Sequence, residues 1–178
     1  MAIQLTQGQV TLVDNRDQEW LSKFKWCSFY NRTQHYAVRQ PSRKDGKRKH
    51  IAMHRAIWEH HYGTIPEGME IDHINGNGFD NRLENLRLCT HHQNQFNQRK
   101  IKSASSKFKG VYLDKSHRGK KWHSHIKIDG VMTTLGYFAT EIEAARAYDA
   151  KAKEKFGCFA NLNFPPSSQD KQEKLVPL

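Results

Sequence analysis

The run Asn75-Gly76-Asn77-Gly78 constrains this chain more than any other stretch. Two asparagines and two glycines in succession tolerate positive φ, so the backbone must reverse there and cannot continue a strand or a helix. Before it, apolar Met69 and Ile71 alternate with polar Glu70 and Asp72, the period of a short strand that ends on the pair Asp72-His73. After it, Leu83, Leu86 and Leu88 bring back a second short element, and Thr90 is placed to cap a polar helix that contains Phe96. The stretch reads as strand, turn, strand, helix.

That order gathers Asp72, His73, Asn85 and Asn94 into one small site whose residue types suit phosphodiester hydrolysis. Carboxylate and amide oxygens are hard ligands that favour Mg²⁺ or Mn²⁺ over zinc, and such a cation can hold a scissile phosphate while keeping water-filled positions. A neutral imidazole can take a proton from an attacking water, and it needs a partner to fix its ring. On this reading His73 is the general base and Asn85 its orienter.

With these residues the chain resembles the HNH endonucleases, in the form carried by phage and intron homing endonucleases. The resemblance extends to the nine-residue step from Asn85 to Asn94, to Met53-His54-Arg55-Ala56-Ile57-Trp58, and to Asp80-Asn81-Arg82-Leu83-Glu84-Asn85-Leu86-Arg87. It implies that Asp72 and Asn94 are metal ligands for one Mg²⁺ or Mn²⁺ per active site, that His73 is the base and that Asn85 positions it. Asn94 departs from the many members that carry His there, which weakens the case for zinc or nickel; His91 and His92 lie close to that position. An isolated Asp-His pair is an ordinary turn, and only the ordered set carries the reading.

The net charge of +11, from 29 Lys and Arg against 18 Asp and Glu, makes a polyanion the natural partner, and double-stranded DNA is the polyanion expected. No apolar run of about eighteen residues and no basic-then-apolar leader is present, so no membrane association and a cytoplasmic location, a bacterial host's by the same resemblance, are expected. Cys27, Cys89 and Cys158 form no Cys-x-x-Cys, which supports neither a disulfide framework nor a zinc ribbon. One catalytic set per chain points to a monomer that cuts one strand at a time.

An α+β chain of two small modules is expected: a nuclease domain over 1–97 with a β-rich N-terminal extension and a ββα-metal core, a basic linker over 98–108, a DNA-binding domain over 109–165 of three antiparallel strands on one helix, and a disordered tail over 166–178. In the first module, Ile3, Leu5, Val10, Leu12 and Val13 around Gly8 predict a hairpin, Trp20, Leu21, Phe24 and Trp26 a small core, and Tyr36-Ala37-Val38 a strand. Eight basic residues between Arg32 and Arg55 face only Asp45, and Arg43, Lys44, Lys47, Arg48 and Lys49 form a loop suited to phosphate contacts. A charge run is usually a solvated face, but this one is one-sided and stands beside the nuclease pattern. His50 and His54 are spaced to share a helix face, with His54 a phosphate-facing candidate, and Met53, Ile57, Trp58 and His61 predict a helix ended by Gly63. Arg99, Lys100 and Lys102 in the linker are expected to follow the DNA backbone.

In the second module, strands over 110–113, 121–128 and 131–138 are separated by a basic loop and by the tight turn Asp129-Gly130, and Thr140-Glu141-Ile142-Glu143 opens a helix over Ile142, Ala145, Ala147, Tyr148, Ala152 and Phe156, stopped at Gly157. Alternation puts Trp122, Ser124 and Ile126 on one face and His123, His125 and Lys127 on the other. This module resembles the plant Apetala-two/ethylene-response-factor DNA-binding domain through Lys109-Gly110-Val111, Lys121-Trp122, Leu135-Gly136-Tyr137-Phe138, Ala144-Ala145-Arg146-Ala147-Tyr148-Asp149 and Asn163-Phe164-Pro165. The resemblance implies a sheet laid in the major groove, with Tyr112, Lys121, His123, His125, Lys127, Met132 and Thr134 toward DNA; arginines and a tryptophan fill several of those places in the plant pattern. The whole reads as a site-directed endonuclease of homing type; the alternative is a DNA-binding regulator with an inactive nuclease module.

Overall fold

The computed structural model describes residues 1–40, 50–97, 105–114 and 122–165. Its mixed α/β chain divides into two units, Met1–Gln95 and Phe96–Leu178. In the first, Gly8 at φ +86° turns strand β1 (Ala2–Gln4) back onto β2 (Val10–Leu12), with Ile3 opposite Thr11. β2 does more than close a hairpin. Leu12 N–H donates to the Phe79 carbonyl at 2.7 Å and the Leu12 carbonyl accepts from Asn81 N–H at 2.8 Å, so the far edge of β2 grips the loop after the Asn-Gly run. Helix α1 (Asn15–Leu21) follows and buries Leu21, while its buried Asp17 accepts from Trp20 Nε1 at 3.0 Å and pairs with His61 Nε2 at 2.7 Å.

Strands β3 (Cys27–Tyr30), β4 (His35–Arg39) and β5 (Ile51–Ala52) form an antiparallel sheet in that order, and helix α2 (Met53–Tyr62) leaves β5 directly. His50 therefore precedes a strand and shares no helix face with His54, because the pairing of Val38 with Ala52 keeps the chain extended up to Met53. Gly63 ends α2 at φ +82° and donates its N–H to the Glu59 carbonyl at 3.1 Å. Strands β6 (Met69–His73) and β7 (Leu86–Thr90) pair antiparallel, and helix α3 (His91–Phe96) continues from β7. Thr90 caps α3 reciprocally: its Oγ1 accepts from Gln93 N–H at 3.2 Å, and Gln93 Oε1 accepts from Thr90 N–H at 2.8 Å.

The core of this unit joins the N-terminal hairpin, α1, α2 and the β6/β7 hairpin through Leu5, Val13, Leu21, Trp26, Met53, Ile57, Ile71 and Leu86. Phe24 departs from the aromatic core expected of it: it is 39 % exposed and carries the Arg39 guanidinium 4.0 Å above its ring, a cation–π contact that suits a half-wet site.

In the second unit β8 (Val111–Leu113), β9 (Trp122–Ile128) and β10 (Val131–Phe138) form an antiparallel sheet in the order β10-β9-β8. Asp129 and Gly130 at φ +49° and +84° make the tight turn between the last two strands. Helix α4 (Glu141–Phe156) starts at a capping box formed by Thr140 and Glu143 and stops at Gly157. It buries Ala144, Ala145, Tyr148, Ala152 and Phe156 against Val111 and Ile126 of the sheet, and Ile142, expected in that face, is 51 % exposed. Ile142 lies on the solvent side because Ala144 and Ala145, not it, meet Val111.

The first residues of this unit come earlier than the expected boundary after 97. Phe96 stacks on Phe156 with ring centroids 3.8 Å apart, and the Asn97 carbonyl accepts from Asn161 Nδ2 at 2.9 Å. The end of the expected linker is also packed here: buried Ser106 donates to Glu141 Oε1 at 2.6 Å, Ser105 Oγ accepts from Leu113 N–H at 2.9 Å, and Phe108 lies on the Val111 cluster. A serine hydroxyl is short enough to anchor backbone in this way, which is why low apolar content did not make these residues a tether. No helix among the described residues is long and apolar enough to cross a membrane.

Gly78 is the most closely approached glycine among the described residues of the first unit: a Cβ there would strike the His35 carbonyl and come within 2.9 Å of the Tyr36 ring. Gly78→Ala is expected to lower stability by about 1–3 kcal/mol, the cost of overpacking against backbone that cannot swing aside. Gly8→Ala, which meets only open space, should cost about 1 kcal/mol from its left-handed φ alone. Urea unfolding of both variants checks the order.

Candidate active site

The β6/β7 hairpin builds the site. Register sets Asp72 opposite Arg87 and His73 opposite Leu86. Arg87 reaches across the ladder and donates through Nε at 2.9 Å and Nη2 at 2.7 Å to Asp72 Oδ2, so the buried carboxylate is held in one orientation. His73 is 2 % exposed, and its Nε2 lies 3.1 Å from Asn81 Oδ1. The amide beside the imidazole is thus Asn81, not Asn85 as the sequence suggested.

Asn85 is committed elsewhere. Its Oδ1 accepts from Asn75 N–H at 3.0 Å, and its Nδ2 donates to Asn75 Oδ1 at 3.1 Å and to the Asp80 carbonyl at 2.7 Å. Both amide hydrogens and the oxygen close the loop between the strands, and the Asn85 carbonyl accepts from Ile74 N–H at 2.8 Å. Asp80 completes the closure by accepting from Asn75 Nδ2 and from Arg82 Nε, each at 2.8 Å. The hydrogen bonds from Arg82 hold the Asp80 carboxyl below its usual range. Asn85 therefore acts on the site through the loop's shape.

Asn94 is drawn to the site by a residue the sequence reading passed over. Glu70 and Asp72 are two apart on β6 and share a face of the hairpin. Asn94 Nδ2 donates to Glu70 Oε2 at 2.7 Å, and His91 Nδ1 meets Glu70 Oε1 at 2.9 Å. The bond from Asn94 is the main reason the Glu70 carboxyl sits below its usual range. An ionised carboxylate only accepts, so it fixes Nδ2 toward itself and turns Asn94 Oδ1 away as an available oxygen. A carboxylate and an amide oxygen fit a hard divalent cation that keeps waters; among the described residues no three His, Cys, Asp or Glu are grouped to hold a metal. Strict i, i+2 spacing from Asp72 was the signal that could have found Glu70.

His54 and Tyr36 stand beside His73. Ring centroids lie 4.9 Å apart for His54–His73 and 5.8 Å for Tyr36–His73. His54 is half-buried, with Nδ1 enclosed and without a hydrogen-bond partner among the described residues. Burial, and then His73 and Arg55, hold the His54 imidazole well below its usual range. Burial also lowers His73, outweighing the opposing pull of Asn81, Asp72 and Asp80. Both rings are thus neutral near pH 7, the state a proton acceptor needs.

On the second unit, the outer face of the sheet brings together Tyr112, His123, His125, Lys127, Met132 and Thr134, with His125 opposite Thr134 and Lys127 opposite Met132. Tyr112 stacks on His125 at 4.2 Å. Tyr137 joins this face by stacking on His123 at 4.8 Å. Plain alternation would turn Tyr137 inward; a bulge between Thr134 and Gly136 restores it, and a glycine inside a strand is the usual mark of one. Arg43, Lys44, Lys47, Arg48, Lys49, Arg99, Lys100, Lys102 and Lys121 lie outside the described residues.

Residues 52–96 match the model of the HNH endonuclease family. The chain is 38 % identical over 101 residues to an uncharacterized HNH endonuclease of Acanthamoeba polyphaga mimivirus, covering 57 % of this chain and 50 % of that protein. It is 36 % identical over 77 residues to Protein 3.8 of Escherichia phage T7, covering 43 % of this chain and 62 % of that protein. The chain thus spans less than two thirds of the length of either relative, and no solved structure matches it. The matched segment runs from Ala52 through α2, the hairpin and α3, and so holds Asp72, His73, Asn81, Asn85 and Asn94. The chain therefore contains a segment, residues 52–96, that is similar to HNH endonuclease domains.

The two neutral histidines set a pH dependence. In the unfolded chain each binds a proton below its usual value of 6.5, while in the folded unit each resists protonation until a lower pH. The unfolded state then binds more protons, so stability is complete above 6.5 and declines as pH falls below it. The carboxylates Glu70 and Asp80 add a separate loss only below their usual values of 4.5 and 3.8. Thermal melts across this range should show Tm falling before the carboxylates titrate, and His54→Gln should flatten that first decline.

Proposed function

We propose that this chain is a site-directed DNA endonuclease of homing type, with His73 as the general base and Asp72 and Asn94 as ligands of one Mg²⁺ or Mn²⁺. The observation that carries the reading is the buried His73, ringed by Tyr36 and His54 and held at Nε2 by Asn81, next in sequence to a carboxylate clamped by Arg87. When bound, the cation supplies charge for the scissile phosphate and its leaving oxygen. The chain's own residues do the rest. His73 takes the proton of the attacking water, Arg87 keeps Asp72 in place, Glu70 keeps the Asn94 oxygen presented, and Asn85 keeps the loop closed.

Double-stranded DNA is the proposed substrate, met by a monomer in the cytoplasm. The outer sheet face of the second unit, where exposed Lys127, Met132 and Thr134 flank the Tyr112–His125 stack, supplies groups that can meet base edges in a major groove. The formal charge of +11 favours the phosphate backbone and carries no sequence information directly.

Nicking of supercoiled plasmid with Mg²⁺ and with EDTA tests the chemistry: the wild type is expected to nick only with the cation. His73→Ala should lose about 10²–10⁴ in rate, the usual share of a general base, with DNA binding in a gel shift nearly unchanged. Wild-type nicking by that variant would sink the assignment. His125→Ala combined with Lys127→Ala is expected to lower cleavage at the mapped genomic site relative to a scrambled duplex at fixed ionic strength, with little change on the scrambled one.

A further inference from the structure

Hydrogen-bond direction near His73 is decided at the Phe79 carbonyl, which has lone pairs and no proton to give. It accepts from Leu12 N–H at 2.7 Å and lies 2.8 Å from Thr11 Oγ1. Two oxygens at that distance need a proton between them, and the Thr11 hydroxyl has the only one. Met53 Sδ, the other acceptor within reach, is 3.9 Å away and accepts weakly. With its proton spent, Thr11 Oγ1 must accept at its remaining close neighbour, the Asn81 side chain at 2.7 Å, so Asn81 turns Nδ2 toward it. The Gly78 carbonyl, 3.5 Å from that same Nδ2, is a second acceptor-only group on that side. Asn81 Oδ1 is left to face His73 Nε2 at 3.1 Å. Thr11 and Asn81 are both 0 % exposed, so no solvent competes for these positions.

We propose that Thr11 is a positioning residue that, by orienting the Asn81 amide, fixes the tautomer of His73, with the ring proton on Nε2 and Nδ1 as the basic nitrogen. The inference rests on the reading of His73 as general base for its consequence in catalysis, but not for its geometry. Thr11 lies on β2, outside the segment 52–96 that matches the HNH family. The N-terminal hairpin therefore takes part in the active site: it holds the loop through Leu12 and sets the proton's place through Thr11.

The test is long-range ¹H–¹⁵N correlation of the histidine rings in the full chain at alkaline pH, with His73 assigned by the signals lost in His73→Gln. Wild type and Thr11→Ser should show Nε2 protonated and Nδ1 of the lone-pair type. Thr11→Val, which keeps the shape and removes the hydroxyl, should shift the ring toward the other tautomer and lower kcat for nicking by about 10-fold or more, up to the 10²–10⁴ lost when a general base is removed outright, with KM little changed. A wild-type ring protonated on Nδ1, or a folded Thr11→Val that keeps the wild-type tautomer, would overturn the proposal. The wild-type spectrum decides the point even if Thr11→Val fails to fold. Because the spectrum needs no turnover, a failure of the relay is distinguishable from a failure of His73 as base, which only the His73→Ala nicking rate reports.

Discussion

The two backbone hydrogen bonds of Leu12, one to the Phe79 carbonyl and one from Asn81 N–H, carry more of this structure than their number suggests. They join the N-terminal hairpin to the loop of the β6/β7 hairpin, in a short parallel bridge of Leu12 with Asp80. A loop rich in Asn and Gly has high conformational entropy when unheld, and an active site built on it would be poorly positioned. Here the loop is gripped from outside by β2, from inside by Asn85, and from below by Gly78 pressed on β4. The apolar core around Trp26, Met53 and Ile57 then supports both strands of the clasp.

Within that frame, three asparagines do different work because each faces different partners. Asn85 is bonded on all sides to the loop that it closes. Asn81 is turned by Thr11 and presents its oxygen to an imidazole, and Asn94 is turned by Glu70 and presents its oxygen outward. An amide is nearly symmetric in shape and wholly asymmetric in hydrogen bonding, so groups that only accept can decide what it offers. Asp72 is handled similarly by Arg87, whose fork settles one carboxylate oxygen.

The second unit is stabilised by close helix–sheet contact. Ala144, Ala145 and Ala152 let α4 approach β8 and β9, and Gly110 leaves room for the Tyr148 ring. Asn163 ties the far end back by accepting from Lys109 N–H at 2.6 Å and donating to Asp149 Oδ1 at 3.0 Å. With the inner face filled this way, polar and aromatic side chains collect on the outer face, and the bulge before Gly136 adds Tyr137 to them.

By itself the sequence determined the elements whose signals are local. The reversal at residues 75–78, the strand ending on Asp72-His73, the helix stopped at Gly63, the Asp129-Gly130 turn and the Thr140-Glu143 cap all follow from backbone preferences and short-range periodicity. It also placed the candidate residues His73, Asp72 and Asn94 on one hairpin and its helix, since all lie within a short span. What it could not decide was which amide meets the imidazole, because Asn81 and Asn85 are both a few residues from a turn and only the closed loop turns one inward. Thr11 was hidden for a related reason: its partner lies 70 residues away along the chain, and no local pattern encodes such a pairing; Glu70 could be placed on the face of Asp72 by local spacing, but its pairing with Asn94, 24 residues away, could not. Tertiary structure chose them, because a buried donor or acceptor must find a partner wherever the fold brings one.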